Sequence, residues 1–219
     1  CRFGFTVTRL ERSDRGWLIV GNGAAVDADA VVLANGIGAM ALVPDVALPI
    51  RAGRGLVSHL AATATPPLDV VVTRLGYVTP PVDGLRCAGA TTTIVEPAAT
   101  GATTPLAAEH AENLQRLDMM LPGFGSALDA AGMDGRVSFR PMSPDRLPIV
   151  GPLAGGDGLW ICDGFGARGL VFAAICAELL ANQIDGAPLP LEGDLVQALA
   201  PARFGKRKPP RARSRAQQM

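Results

Sequence analysis

The sequence predicts a mixed α/β fold of α+β character, on three observations. Residues 158–183 read G-L-W-I-C-D-G-F-G-A-R-G-L-V-F-A-A-I-C-A-E-L-L-A-N-Q, a short apolar strand that passes through a glycine-rich turn into an apolar helix. Residues 30–34 are a continuous apolar run that stops at N-G-I-G, the pattern of a buried strand feeding a tight turn. Between these lies a different texture, short β-rich runs broken by Gly and Pro over residues 48–93, which is how antiparallel sheet reads.

Taken in order, residues 3–12 and 16–20 alternate as two antiparallel strands joined by Ser13-Asp14-Arg15-Gly16. The run 30–34 is expected as a buried strand of a parallel sheet. The segments R-G-L-V-S-H-L, D-V-V-V-T-R-L, G-Y-V-T-P and L-R-C-A-G-A-T-T-T supply the strands of the antiparallel sheet. Residues 106–121 place Leu106, His110, Leu114, Leu117 and Leu121 near helical spacing, with Pro105 before and Pro122-Gly123 after. One more strand follows at 135–140. The strand 159–162 then enters the glycine turn and its helix, and the Pro-rich stretch D-G-A-P-L-P-L-E-G-D-L that follows places Asp185 in a turn with no further strand.

Gly164, Gly166 and Gly169 give the spacing G-x-G-x-x-G between a strand and a helix, the context in which that spacing carries meaning. Glycines let the backbone turn tightly and a ligand approach it, while the helix start offers free N–H groups and a positive dipole end, a setting for an electron-rich ligand. An ordinary dinucleotide fingerprint would continue into a second strand ending in an acidic residue. None follows here, so the turn reads as a closing element of its fold, with ligand-free packing as the alternative. Asn35 and Gly36 sit at the carboxyl end of the expected parallel strand, where such sheets place ligands, and an ordinary turn is the alternative there. Arg140 ends the strand 135–140 before the Pro-punctuated loop P-M-S-P-D-R-L-P. Its planar, permanently charged fork suits a carboxylate held by two hydrogen bonds. A structural pairing with Asp145 or Glu96 is the alternative.

With 219 residues, 48% hydrophobic and 18% charged, the chain has ample material for a folded core. Four cysteines, Cys1, Cys87, Cys162 and Cys176, form no C-x-x-C pair, so reduced core thiols in a cytoplasmic protein are expected and no metal site. The longest apolar stretch, 170–181, is too short to span a bilayer. Net charge is zero, yet Lys206, Arg207, Lys208, Arg211, Arg213 and Arg215 gather in a terminal segment without acids, which reads as a basic, disordered tail or a contact to phosphates. The chain begins at Cys1 inside a strand pattern and is expected to be a fragment of a longer protein.

Four pieces together resemble the D-amino-acid-oxidase-type FAD oxidoreductases: A-D-A-V-V-L-A-N-G at 28–36, R-G-L-V-S at 54–58, G-Y-V-T-P-P-V-D-G-L-R-C-A-G-A-T at 76–91, and R-P-M-S-P-D-R-L-P-I-V-G through G-F-G-A-R-G-L. Within them, V-S-H-L, D-R-L-P-I-V-G, D-G-F-G-A-R-G-L and the closing A-P-L-P-L-E-G-D-L-V-Q-A-L-A-P-A-R-F are similar to the oxidoreductase half of the bacterial bifunctional proteins of tRNA 5-methylaminomethyl-2-thiouridine biosynthesis. Leu56 stands where the wider family has glutamine.

The resemblance implies a partial FAD-binding Rossmann-like domain over 1–45 and 144–204, an inserted antiparallel substrate domain over 46–143 and the basic tail over 205–219. It implies an N-terminal Rossmann segment and a methyltransferase domain earlier in the full-length chain. It implies FAD as cofactor, tRNA as partner, dioxygen as electron acceptor, no membrane, and oxidative removal of the carboxymethyl group from 5-carboxymethylaminomethyl(-2-thio)uridine at the wobble position, with hydride passing from a glycine-like CH2–N to the flavin. Arg140 then matches the arginine that holds the substrate carboxylate, and Tyr77 an aromatic of the substrate pocket, with a buried sheet tyrosine as the alternative. His59 falls at the pocket edge. Asn35, Gly36, Gly164, Gly166, Ala167, Arg168, Gly169 and Leu170 match the cofactor-binding positions, the last four offering amides to the flavin pyrimidine edge. A free glycine, sarcosine or D-amino-acid oxidase of the same fold, and a non-catalytic fragment, are the competing readings.

Overall fold

A computed structural model describes residues 1–96, 100–126, 128–154 and 157–205. The first stretch of chain carries β1 (Val7–Ser13), β2 (Gly16–Gly21), β3 (Ala24–Ala28), β4 (Val31–Leu33) and the short α1 (Ala39–Leu42). The middle carries β5 (Arg51–Ala61), β6 (Val72–Thr73), β7 (Tyr77–Val78), β8 (Leu85–Gly89), β9 (Thr93–Val95), α2 (Ala107–Met120) and β10 (Gly135–Met142). The last carries β11 (Ile149–Pro152), β12 (Leu159–Asp163), α3 (Gly169–Asp185) and α4 (Gly193–Leu199). These elements group into two units, Cys1–Pro49 with Ser143–Met219, and Ile50–Met142. Apart from Gly205, the expected basic tail lies outside the described residues.

In the first unit β1, β2 and β3 form an antiparallel meander with Leu10 opposite Ile19 and Trp17 opposite Ala28. The strand expected from residue 3 begins at Val7, and A-A-V-D-A, read as a lead-in, is a strand of its own. A second sheet has the order β11-β12-β4. β12 runs parallel to β4, with Leu159 opposite Val31 and Ile161 opposite Leu33, and antiparallel to β11. β4 ends this sheet path, so Val31 and Leu33 are buried while Val32 is 41% exposed; the run expected to be buried throughout is buried on one face. An apolar helix face closes on β11 and β12: Cys176, Leu179 and Leu180 of α3 pack with Val150 and Leu199. α3 extends through Asp185, the residue expected in a turn, because Gly186 at φ 68° supplies the left-handed cap that stops it only there. No strand follows it among the described residues.

The second unit is an antiparallel sheet of order β10-β5-β8-β7-β6, with β9 also on β5. Its long members are β5 and β10, paired from Gly135–Ser58 to Met142–Arg51. The run D-V-V-V-T-R-L yields only the two residues of β6, and Val70 and Val71 are exposed. α2 covers one face, where Leu60, Val78, Ala88, Leu114, Leu117 and Phe124 form the core. Polar groups on this face bond to one another or to backbone, save His110 Nε2 and Asn113 Oδ1, which are buried without a partner among the described residues. Arg54 is buried and holds both carboxylate oxygens of Glu109, at 3.0 and 2.9 Å, together with the carbonyls of Ala102 and Thr104. The Ser58 hydroxyl lies 2.8 Å from His110 Nδ1 and accepts from Asn113 Nδ2 at 3.0 Å. Burial lowers the His110 pKa from its ordinary 6.5.

Candidate functional site

In the first unit the site is built on the carboxyl ends of two neighbouring parallel strands. β4 stops at the turn Asn35-Gly36 and β12 at the turn beginning Gly164, so the register that pairs Leu33 with Ile161 brings both glycine turns to one edge of the sheet. Gly36, Gly164 and Gly166 have φ of 65°, 74° and 57°, conformations that favour glycine. Gly164 has a second reason: a Cβ there would sit 3.0 Å from Ile149 Cγ1. Gly169 has neither, since its φ is not positive and a Cβ would meet only Phe165 Cβ at 3.7 Å.

Asp163, the last residue of β12, joins the two turns, and sequence reasoning did not single it out. It is 2% exposed. Its Oδ1 accepts the Gly164 N–H at 2.7 Å, and the Gly36 N–H acts on the same carboxylate from the other turn without closing a bond to Oδ2, which is buried and without a partner among the described residues. Burial pushes this carboxyl above the ordinary aspartate value, and the two amides oppose that shift. The signal was available as an aspartate placed directly between a strand and a positive-φ glycine.

At the helix start the Arg168 N–H is taken by the Phe165 carbonyl at 3.1 Å, while the amides of Ala167, Gly169 and Leu170 have no backbone acceptor among the described residues. Leu170 and Val171 are strongly exposed. The Arg168 guanidinium lies over the Phe172 ring at 5.2 Å and donates to the Arg146 carbonyl, so its charge stays beside the turn. Cys162 and Cys176 are free thiols packed behind the turn, and burial pushes Cys162 up to about 11.

In the second unit Arg140 stands on the sheet face opposite α2. Directly opposed residues share a face, so the pairing of Arg140 with Gly53 on β5, and of Tyr77 with Gly89 and Val57, puts Arg140 and Tyr77 on that face, while Leu60, Ser58 and Leu56 point to α2. Leu56 is fully buried there, so the position where the wider family has glutamine points away from Arg140. Arg140 Nη1 donates to the Thr91 carbonyl at 3.3 Å and to Thr92 Oγ1 at 3.4 Å. Among the described residues it makes no ion pair. Of the acids proposed for it, Asp145 is held by Arg203 at 2.8 and 3.1 Å. The guanidinium lies so close over the strand that a Cβ on Gly55 would meet Nη1 at 2.0 Å. Tyr77 is half-buried beside it. Burial and the neighbouring Cys87 raise the phenol pKa, and Arg140 and Arg136 pull it back. His59 ends the same face, 3.3 Å from Asp134 Oδ2.

The first unit thus carries a buried aspartate between two glycine turns and helix-start amides without backbone acceptors among the described residues, and the second an arginine without an ion pair among them, on the same sheet face as a tyrosine. The FAD dependent oxidoreductase family model (DAO) matches residues 1–183. The chain belongs to this family. Among curated proteins it is 48% identical, over 93% of its length, to the tRNA 5-methylaminomethyl-2-thiouridine biosynthesis bifunctional protein MnmC of Aromatoleum aromaticum, and 41% identical, over 92%, to that of Thiobacillus denitrificans. It spans about a third of the length of these relatives, 34% and 33%. Among solved structures it resembles the glycine oxidase of Geobacillus kaustophilus, with a TM-score of 0.68 and 18% identity over 86% of this chain and 50% of that one. It also resembles the iminodiacetate oxidase of Chelativorans sp. BNC1, with a TM-score of 0.68 and 23% identity over 88% and 52%. At these identities the two likenesses establish the fold. The chain is thus an FAD-dependent oxidoreductase domain of DAO type. None of its described helices is long and apolar enough to cross a membrane.

Proposed function

We propose that this chain is the oxidoreductase part of a longer cytoplasmic protein that removes the carboxymethyl group from 5-carboxymethylaminomethyl(-2-thio)uridine at the tRNA wobble position. The observation that carries the reading is Arg140: a guanidinium free of any carboxylate among the described residues, fixed on its sheet by Thr91 and Thr92 next to Tyr77. Identities of 40–48% to proteins named for tRNA 5-methylaminomethyl-2-thiouridine biosynthesis support this choice of substrate.

The residues of the first unit fit FAD. Among the described residues Asp163 Oδ2 is a buried acceptor without a donor, which matches a ligand rich in hydroxyl groups, and the amides of Ala167, Gly169 and Leu170 lack a backbone acceptor, which matches an electron-rich ring edge. Asn35 and Gly36 would line the same group from the neighbouring turn, Gly164 and Gly166 give it room to approach the backbone, and Arg168 adds positive charge beside it. When bound, FAD supplies a two-electron oxidation of the substrate CH–NH bond.

Arg140 holds the glycine-like carboxylate by its two-pronged fork, and its contribution is orientation: a substrate pinned at one end presents its α-carbon in one place. Tyr77 packs against the substrate with its ring and stays protonated at neutral pH, since its pKa is raised. Water completes release of glyoxylate, and dioxygen takes the electrons. The relatives are named bifunctional, which supports a second activity elsewhere in the polypeptide, and we assign it to a methyltransferase domain.

The test is Arg140→Leu in the protein expressed at full natural length. Turnover of tRNA bearing the carboxymethylaminomethyl group is expected to vanish while the flavin absorbance spectrum persists; undiminished turnover overturns the carboxylate role. Turnover of free glycine at a kcat/KM equal to that for tRNA would replace this reading by a free amino-acid oxidase.

A further inference from the structure

We propose that Arg136 contacts a phosphate of the substrate polynucleotide and so selects tRNA over small carboxylates; this rests on the tRNA reading above. Arg136 opposes Val57, which opposes Gly89, which opposes Tyr77, so one row crosses β10, β5, β8 and β7 with Arg136 at one end and Tyr77 at the other. Arg140 is four residues along the same strand and therefore on the same face, its Cα about 13 Å from that of Arg136 at the usual rise of roughly 3.3 Å per residue. Both guanidinia act on the Tyr77 phenol, which places their charges over this face.

The rows between the two arginines hold Gly53 and Gly55 of β5 and Ser138 of β10; the Met142 side chain lies over Gly53, and the Arg140 guanidinium reaches over Gly55, one row nearer Arg136. Arg136 itself is exposed, and among the described residues it makes no ion pair. The nearest acid along the chain, Asp134, is engaged by the Gly135 amide at 2.8 Å and by His59 at 3.3 Å. The face therefore presents two cationic groups to a substrate. A free amino acid has one carboxylate and leaves the second cation unused. A nucleotide whose base ends in a carboxylate has two separated anions, the carboxylate for Arg140 and a backbone phosphate for Arg136.

The experiment compares kcat/KM for tRNA carrying the carboxymethylaminomethyl group with kcat/KM for the corresponding free nucleoside, in the full-length holoenzyme, for wild type, Arg136→Ala, Arg136→Lys and, as a control, the exposed Arg15→Ala. Arg136→Ala is expected to lower the tRNA-to-nucleoside ratio about tenfold, and to flatten the fall of log(kcat/KM) for tRNA with log salt by about 0.7, the share of one single-strand phosphate contact. Arg136→Lys restores most of both, because a phosphate accepts a point charge. A ratio and a salt slope unchanged in Arg136→Ala overturn the inference while leaving the Arg140 reading standing, and an equal loss in Arg15→Ala overturns it as a general charge effect. Wild-type turnover of the nucleoside with none of the tRNA overturns the inference and the tRNA reading together.

Discussion

The placement of Arg140 can be tested without touching it, through Gly55→Ala. A methyl group at position 55 would stand 2.0 Å from Arg140 Nη1, 2.7 Å from Cζ and 2.8 Å from the Thr91 carbonyl oxygen, against the 3.4 Å at which ordinary contact begins. The guanidinium is the free end of a flexible side chain and moves by more than an ångström; the Thr91 carbonyl is backbone, so β5 yields slightly and the fold loses about 1–3 kcal/mol. A misplacement of about 1 Å in a positioning group costs on the order of 100-fold in rate, or about 2.7 kcal/mol of transition-state stabilisation. The expected result is that kcat/KM for modified tRNA falls by about that factor while flavin absorbance is unchanged, since Gly55 and the glycine turns belong to different units. Steady-state kinetics of Gly55→Ala, Arg140→Lys and the double variant separate this route from general damage. If the methyl acts by displacing the arginine fork, its penalty shrinks once the fork is replaced by lysine. A Gly55→Ala enzyme with wild-type kcat/KM, or one with an equal loss in both backgrounds, refutes the reasoning.

Gly164 and Gly169 differ in what they demand, so Gly164→Ala, strained at φ 74° and pressed on Ile149, is expected to cost about 1–2 kcal/mol and to lower flavin occupancy, whereas Gly169→Ala leaves thermal melting within a degree or two; equal melting temperatures would contradict the difference in backbone. Arg54→Met leaves the Glu109 carboxylate, 12% exposed, without its partner, and unfolding in denaturant is expected to show a loss of about 3–5 kcal/mol; a loss below about 1 kcal/mol would mean the pair does not hold α2 to β5. The Asp163 carboxyl has a folded-state pKa raised above 3.8, so the folded state binds its proton more tightly than the unfolded chain and stability falls as pH rises from about 3.8 through the raised value. Asp163→Asn keeps an acceptor for the Gly164 N–H and removes the charge, so melting followed against pH should show the wild type falling relative to the variant across that window, and parallel curves would show that the buried charge costs nothing.

What the sequence made legible was local. The β1–β2 hairpin, α2 between its prolines and the strand–turn–helix at Gly164 are each decided within about fifteen residues by alternation, caps or glycine spacing. α3 ends later than expected for the same reason: the prolines after Asp185 announce a break, but the stop is fixed by the φ of Gly186. What could not be read were the features set by register. Whether Arg140 pairs with Asp145 depends on Arg203, 58 residues away in sequence, already holding that carboxylate. The space for its guanidinium comes from a glycine 85 positions earlier, placed beneath it by the pairing of β5 with β10. Asp163 reads as a turn-forming residue until the parallel pairing of β4 and β12 sets the Gly36 turn against its carboxylate. The glycine motif therefore located the strand–turn–helix from neighbours in sequence. The substrate role proposed for Arg140 came from resemblance, and the physical reason its guanidinium has no carboxylate partner among the described residues lies in long-range pairing, which is why Gly55 rather than Arg140 is the more searching position to substitute.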